Sequence, residues 1–558
     1  MSDKLKLSLL LAAIMALGFA LRIYKITDKG FFHYDEAYFM LETKAITEGL
    51  KEMKGSLKTG LDLGAIKGRL IDQGCIFPPA TARPSYNLLL VIPALITGMK
   101  DYCVFLPSVF FSTLAVWLCF LLARKYWDTR TGITAAFLVA TSAFNILYSR
   151  SGYAQTTAGV FLLLALYLYL KTLSKDAGPR EAVIAGLALG FAVTCHYGVL
   201  FSMLVLFGTE ILLLLLRSHK RTVKTFSLLL LSFGAPIALY EVLYRLVKTG
   251  LGASISEMNF MTYFQQFIYV SANAPRDLSP KALLANDYLF YPRELMGHDG
   301  YLAGALLLAT GLYFLVRVIK KREPAEVVLY LQSYAMLAFW ILNPGEVKGG
   351  RILMLFHPLL LLFAAKLLTD AFSAIKTSEN NRSVLLASFL VLFLALNAGT
   401  TLAVINTRSL FRDMADRLKG GGVTDVAVFT NWPIWQFHFG HKIWANLDRI
   451  KNEGELAGYC KTKKIDYLVL DYRVPLQSNP ARGSDYSFLN RIAAEKPPEF
   501  AVGVDTFREN LAFYGNFFTP VKLFETGNPP YLDKIKIYRI SKLWLAAGKE
   551  PPGQRAKR

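Results

Sequence analysis

Apolar runs close to the length of a bilayer crossing constrain this chain more than any other feature of it. Leu5 to Leu21, Val104 to Leu122 and Ser383 to Leu402 each approach the roughly 20 residues needed to cross a hydrocarbon layer ~30 Å thick. Lipid offers the backbone no water, so each run must be a helix, the form that satisfies its own peptide groups. With 54% hydrophobic and only 18% charged residues in a chain of 558, and a mean hydropathy of +0.35, most of the protein belongs in lipid.

By hydropathy, spans are expected near 5–23, 104–122, 132–148, 157–170, 182–198, 199–216, 225–244, 300–316, 325–341, 352–369 and 383–402, about eleven crossings. The first run follows Lys4 and Lys6, as a signal peptide would. No small-residue cleavage site precedes Arg22, so it reads as a retained helix.

A net charge of +21 would suit a nucleic-acid binder, but its distribution excludes that class. Many of the cations cluster in short loops between apolar runs, where they report topology and attract anionic lipid headgroups. The N-terminal tail and the loops at 123–131, 171–181, 217–224, 317–324 and 370–382 hold eighteen Lys and Arg, whereas the alternate short loops hold three, Arg150, Lys348 and Arg351. Positive-inside then places the N-terminus in the cytoplasm and the C-terminal region outside, in a multi-pass protein of the inner (plasma) membrane. Tyr86 to Gly98 is apolar but short and contains Pro93; counting it as a span would invert every later loop, so it is expected to lie in the outer interface.

The expected organisation is a transmembrane domain over 1–403, with outer loops at 24–103 and 245–299, an extracytoplasmic α/β domain over 404–545 and a disordered tail over 546–558. In the α/β domain, helices are expected at 408–419, 452–462 and 484–494, and strands at 425–430, 466–472 and 534–540. It has no glycine-rich phosphate loop and no nucleophile elbow, so no catalysis is assigned to it. The five cysteines form no CxxC pair; Cys75 and Cys460 both fall in outer segments, where a bridge is permitted but not indicated.

Asp35 and Glu36 open the first outer loop among Phe31, Phe32, Tyr34 and Tyr38. A carboxylate held against apolar groups at a low-dielectric boundary has its pKa raised toward the working range of a general base. The competing reading makes them the acidic first turn of an interfacial helix, favoured by the helix dipole.

The stretch HYDEAYF with ETKAI after it, the loop ending in PP, ARPSYNLLLVIPALITG, LPSVFFSTLAVWLCFLLARKYWDTRTGITAAFLVATSAFNILYSR and LLLALYLYLK together resemble the GT-C superfamily of polytopic membrane glycosyltransferases. The nearest branch is that of protein O-mannosyltransferases and aminoarabinose lipid A transferases, glycosyltransferase families 39 and 83. The likeness covers roughly 5–245 and continues more weakly through KGGRILMLFHPLLLLFAA; order and spacing carry it rather than a single motif.

The resemblance implies a helical GT-C fold with interfacial helices in the first outer loop. It also implies Asp35 as the catalytic carboxylate with Glu36 beside it, a polyprenyl-phosphate sugar donor such as an undecaprenyl or dolichyl carrier, and inversion at the anomeric carbon. An acceptor hydroxyl must lose a proton as it attacks, and the departing lipid phosphate needs cations in a site shielded from water. Arg351, Lys348 and Arg150 are the cations of the outer short loops, with Arg83 beside the interfacial helix; arginine suits phosphate through its planar fork of donors. Snorkelling to headgroups is the alternative for these side chains.

Some branches bind a divalent metal through a second acidic motif after the third span, but here that loop reads YSRSGYAQTT, with Gln155 and no carboxylate. Metal dependence therefore stays open, with Glu257, Asp287, Glu294 and Asp299 as possible replacements and solvated loop charges as the competing reading. His33 and His298 are supporting candidates with Tyr34 and Tyr38, and His196 could line the cavity. The expected acceptor is a lipid, glycan or protein hydroxyl, and membrane lipids are the surroundings. A lipid-glycan flippase without transferase activity is the competing class; transporters show paired halves and mid-span charges, and neither is evident here.

Overall fold

The structure, a computed structural model, describes residues 2–56, 62–72, 83–173, 178–215, 223–250, 261–272, 279–284, 286–343, 349–429, 432–440, 442–444, 447, 450–471, 487–503 and 534–545. Lys348, Cys75, Glu257 and the 546–558 tail lie outside the described residues. The chain divides into two compact units, Met1–Ile26 with Glu42–Asn406, and Thr27–Leu41 with Thr407–Arg558.

The larger unit is helical and polytopic, as the hydropathy requires. Among the described residues eight helices are long and apolar enough to cross a membrane, or nine if Thr129–Thr141 and Ala143–Ser149, bent by 57°, form one broken span. The count of eleven had also included Pro179–Cys195 and the segment after it. Pro179–Cys195 has 17 residues, a rise of about 26 Å, and Tyr197–Leu213 is likewise a shorter apolar helix.

Two glycines set the closest helix packing. Gly186 and Gly190 of Pro179–Cys195 face the helix Val223–Gly250, and a side chain at either would run into the Leu229 or Phe233 carbonyl. Small residues four apart let backbones approach in lipid, where dispersion rather than water exclusion holds helices together.

One end of this unit is closed by ion pairs. Arg317 reaches Glu326 and, at 3.2 Å, Asp370; Lys366 lies 2.6 Å from Asp370 and 3.8 Å from Asp128; Trp127 donates to Glu326 at 2.7 Å. Three of the lysine- and arginine-rich loops thus meet at the same end, as the charge count requires. At the opposite end Tyr86 donates to the Val104 carbonyl, Ser85 lies 2.7 Å from Thr194, and Thr97 lies 3.1 Å from Cys103. The helix Pro84–Thr97 therefore begins and finishes at that one end.

Arg22 and Arg150, both fully buried, staple helix termini there. Arg22 donates to the carbonyls of Gly18, Val139 and Ala140 and to Ser112 Oγ at 2.8–3.1 Å. The bend after Thr141 strips Val139 and Ala140 of helical partners, and the guanidinium replaces them.

In the smaller unit a five-stranded sheet has the order β2-β1-β3-β5-β4, from Asp425–Val428 (β1), Lys442–Trp444 (β2), Tyr467–Leu470 (β3), Phe500–Gly503 (β4) and Lys534–Arg539 (β5). β2, β1 and β3 run parallel, whereas β5 is antiparallel to β3 and β4. The helices expected near 408–419, 452–462 and 484–494 are Phe411–Gly420, Glu453–Lys463 and Ser487–Glu495. Cys460 is a buried free thiol in the hydrophobic core of this unit, pushed up to about 12 by burial.

Candidate active site

Each unit holds part of the chemistry that the sequence singles out. In the smaller one, the segment before the helix Tyr34–Ser56 is anchored by its aromatic residues. Phe31 packs on Phe437 and His438 at 5.0 and 5.1 Å, and Tyr34 and Tyr38 stack at 5.7 Å with Trp432 edge-on to both. Trp432–Phe439 is a helix, with Trp435 fully buried against Phe411.

The two adjacent acids have different surroundings. Asp35 is half-buried in the first turn of its helix. Glu36 is fully buried, accepts the Phe32 and His33 N–H groups at 2.8 and 3.1 Å, and lies 3.7 Å from the buried Lys29 ammonium. A glutamate in the third position of a helix that reaches back to the preceding amides closes the helix N-terminus. The Glu36 oxygens are held by backbone amides of its own segment and by Lys29, a residue the sequence does not single out.

In the helical unit two of the anticipated cations converge. Arg83 precedes the helix Pro84–Thr97, and Arg351 lies in the short turn Gly350–Leu355 before the helix His357–Ala374. Both act electrostatically on the same imidazole, His196, which is buried at the end of Pro179–Cys195. His196 Nδ1 accepts the Gly198 N–H at 3.1 Å, which leaves Nε2 to carry the proton of the neutral ring. The Arg351 guanidinium also stacks 4.8 Å from the ring centre of buried Tyr153, an arrangement open to a planar cation and not to an ammonium in the same way.

Arg150 has a different setting. Its two terminal nitrogens donate to the carbonyls of Arg22, Tyr24 and Ile405 at 2.7–3.0 Å, and the side chain is fully buried. Those carbonyls end two helices and lack helical donors, so the guanidinium caps them.

Tyr291, buried, lies within electrostatic reach of both Arg351 and Glu294. Glu294 is 3.5 Å from His298, and Asp299 is 3.4 Å from His357. Asp299 also accepts from Ser142 Oγ at 2.9 Å and the Phe144 N–H at 3.0 Å, at the bend that breaks 129–149. Asp287 instead pairs with Arg293. Asp299 and His298 are thus buried and engaged rather than solvated loop charges. Among the described residues no three His, Cys, Asp or Glu side chains are grouped to hold a metal ion.

Residues 80–255 match the family described as dolichyl-phosphate-mannose-protein mannosyltransferase. A search of curated proteins returns no match. Among solved structures, the Archaeoglobus fulgidus oligosaccharyltransferase in its apo form aligns with 85% of this chain and 70% of its own, at 14% identity and a TM-score of 0.56. ArnT from Cupriavidus metallidurans, solved bound to undecaprenyl phosphate, aligns with 92% of this chain and 95% of its own, at 12% identity and a TM-score of 0.54. The archaeal oligosaccharyltransferase AglB, solved with an inhibitory peptide and a dolichol-phosphate, aligns with 85% of this chain and 70% of its own, at 15% identity and a TM-score of 0.52.

Proposed function

We propose that this polytopic chain, whose fold is similar to those of the Archaeoglobus fulgidus oligosaccharyltransferase and of ArnT, transfers one sugar from a polyprenyl-phosphate carrier to a hydroxyl of a lipid, glycan or protein, with inversion. The observation that carries this reading is that Arg351, stacked over buried Tyr153, and Arg83 both lie within electrostatic reach of buried His196. A dianionic or monoanionic lipid phosphate is the ligand such a cluster suits, and ArnT, of the same fold, is a protein solved with one.

In this reading Arg351 and Arg83 hold the phosphate and stabilise it as the bond from the anomeric carbon to the phosphate oxygen breaks. The acceptor oxygen forms the new bond to that carbon, its proton passes to Asp35, and the lipid phosphate leaves as an anion. Tyr34, Tyr38 and Trp432 give Asp35 an aromatic setting. Lys348 is a third cation in the same short loop as Arg351 and joins the proposal by sequence alone. The chain lies in the inner (plasma) membrane with its N-terminus cytoplasmic, so transfer takes place on the outer face.

The test uses membranes carrying the full chain and a radiolabelled polyprenyl-phosphate sugar panel that includes the mannose form. Asp35→Asn is expected to insert normally and to lose transfer by about a hundredfold or more. Undiminished transfer by that variant would remove the base, and lipid movement across vesicles without any transfer would support a flippase instead.

A further inference from the structure

We propose that Lys29 and Glu36 together are positioning residues for Asp35, a role that rests on the reading of Asp35 as the base. The direction in which the second residue of a helix presents its side chain depends on where that helix starts. Here the start is fixed by Glu36, whose Oε2 takes the N–H groups of Phe32 and His33 while its own N–H donates to the His33 carbonyl at 3.1 Å. A carboxylate with no exposed surface requires a countercharge, and Lys29, equally buried, supplies it at 3.7 Å.

Lys29 is itself tied down. Its carbonyl accepts the Ser409 N–H at 2.6 Å, and its ammonium lies 5.2 Å from the Phe32 ring centre. Gly30 follows in the left-handed region at φ 69°, where an added Cβ would stand 3.1 Å from Ser409 Cβ, so the chain reverses tightly between the two charged residues. The loop from Lys29 to Glu36 is thereby closed at both ends by buried charge, and Asp35 is the acid left half-buried beside it.

If the two charges act together, the effects of neutralising them are not additive, and this coupling separates positioning from simple loss of a contact. Glutamine at 36 still offers an oxygen to both amides. The experiment compares wild type, Lys29→Met, Glu36→Gln, the double variant and Asp35→Asn, all as full chains in lipid nanodiscs. It reads amide hydrogen exchange over residues 29–38, and kcat and KM with undecaprenyl-phosphate mannose wherever that donor is turned over.

Each single variant is expected to lower protection at Phe32 and His33 by about tenfold or more without changing exchange in the remaining helices. Where turnover is measured, kcat falls on the order of tenfold with donor KM held. The double variant recovers protection and kcat toward wild type, which a generic loss of packing would not do. Asp35→Asn keeps full protection and loses transfer. Unchanged protection in both single variants, or a double variant no better than its parents, would overturn the positioning role. Normal transfer by Asp35→Asn would instead remove the base while leaving the exchange result to judge the Lys29–Glu36 lock.

Discussion

At the end of the helical unit marked by Trp127, Arg317 meets Glu326 and Asp370, and Lys366 bridges toward Asp128, so cations and carboxylates alternate. At the end marked by Val104, Arg83 and Arg351 both lie within electrostatic reach of His196, and Arg351 stacks over the Tyr153 ring. Alternating charge holds helix ends together and needs nothing further. The proposed function gives the second pair of cations a lipid phosphate to hold, so the difference separates residues kept for stability from residues kept for binding.

That contrast breaks most sharply under paired substitutions. Arg351→Ala should lower sugar transfer by about a hundredfold or more while thermal unfolding in detergent stays near wild type. Arg317→Ala should do the reverse, with about 2–3 kcal/mol of stability lost and transfer per folded molecule retained. A common loss of both properties in the two variants would erase the distinction.

Gly190→Leu should fall between them, because Gly190 lies on the helix that ends at His196 and a side chain there meets the Phe233 carbonyl and the Pro236 ring. Overpacking is expected to cost about 1–3 kcal/mol, and unfolding and donor KM, measured together, should both worsen. Gly190→Ala should show the same changes in smaller measure.

The smallest effect belongs to a residue at neither end. Burial raises the Cys460 thiol from 9.0 to about 12, so above pH 9 the unfolded chain ionises while the folded one does not. Stability from this group is complete below pH 9 and is lost as pH rises toward 12. Denaturant unfolding of wild type and Cys460→Ala at pH 8 and pH 10 should therefore show the advantage of wild type shrinking at the higher value.

Some of this was legible in the sequence and some was not, for identifiable reasons. Arg351 stood out because cations are avoided in outer short loops, and that rule needs no tertiary information. Arg150 met the same rule, but its capping contacts were not legible: the carbonyls it caps are left open only once the helices ending at Ile23 and Asn406 come together. Adjacency in sequence hid the different burial of Asp35 and Glu36, and Lys29 was missed because its partner is fixed by the turn at Gly30. In the smaller unit the strands of strong alternation or continuous apolar character were expected near their places. The three-residue β2 and the strand at Phe500–Gly503 were not, being too short to give a period.

Binding of undecaprenyl phosphate to the purified full chain, followed by native mass spectrometry, tests the central claim most directly. Wild type should bind one lipid phosphate, and Arg83→Ala/Arg351→Ala should weaken it by about a hundredfold or more, while Arg317→Ala leaves it unchanged. Equal binding by wild type and the Arg83/Arg351 double variant would contradict the account.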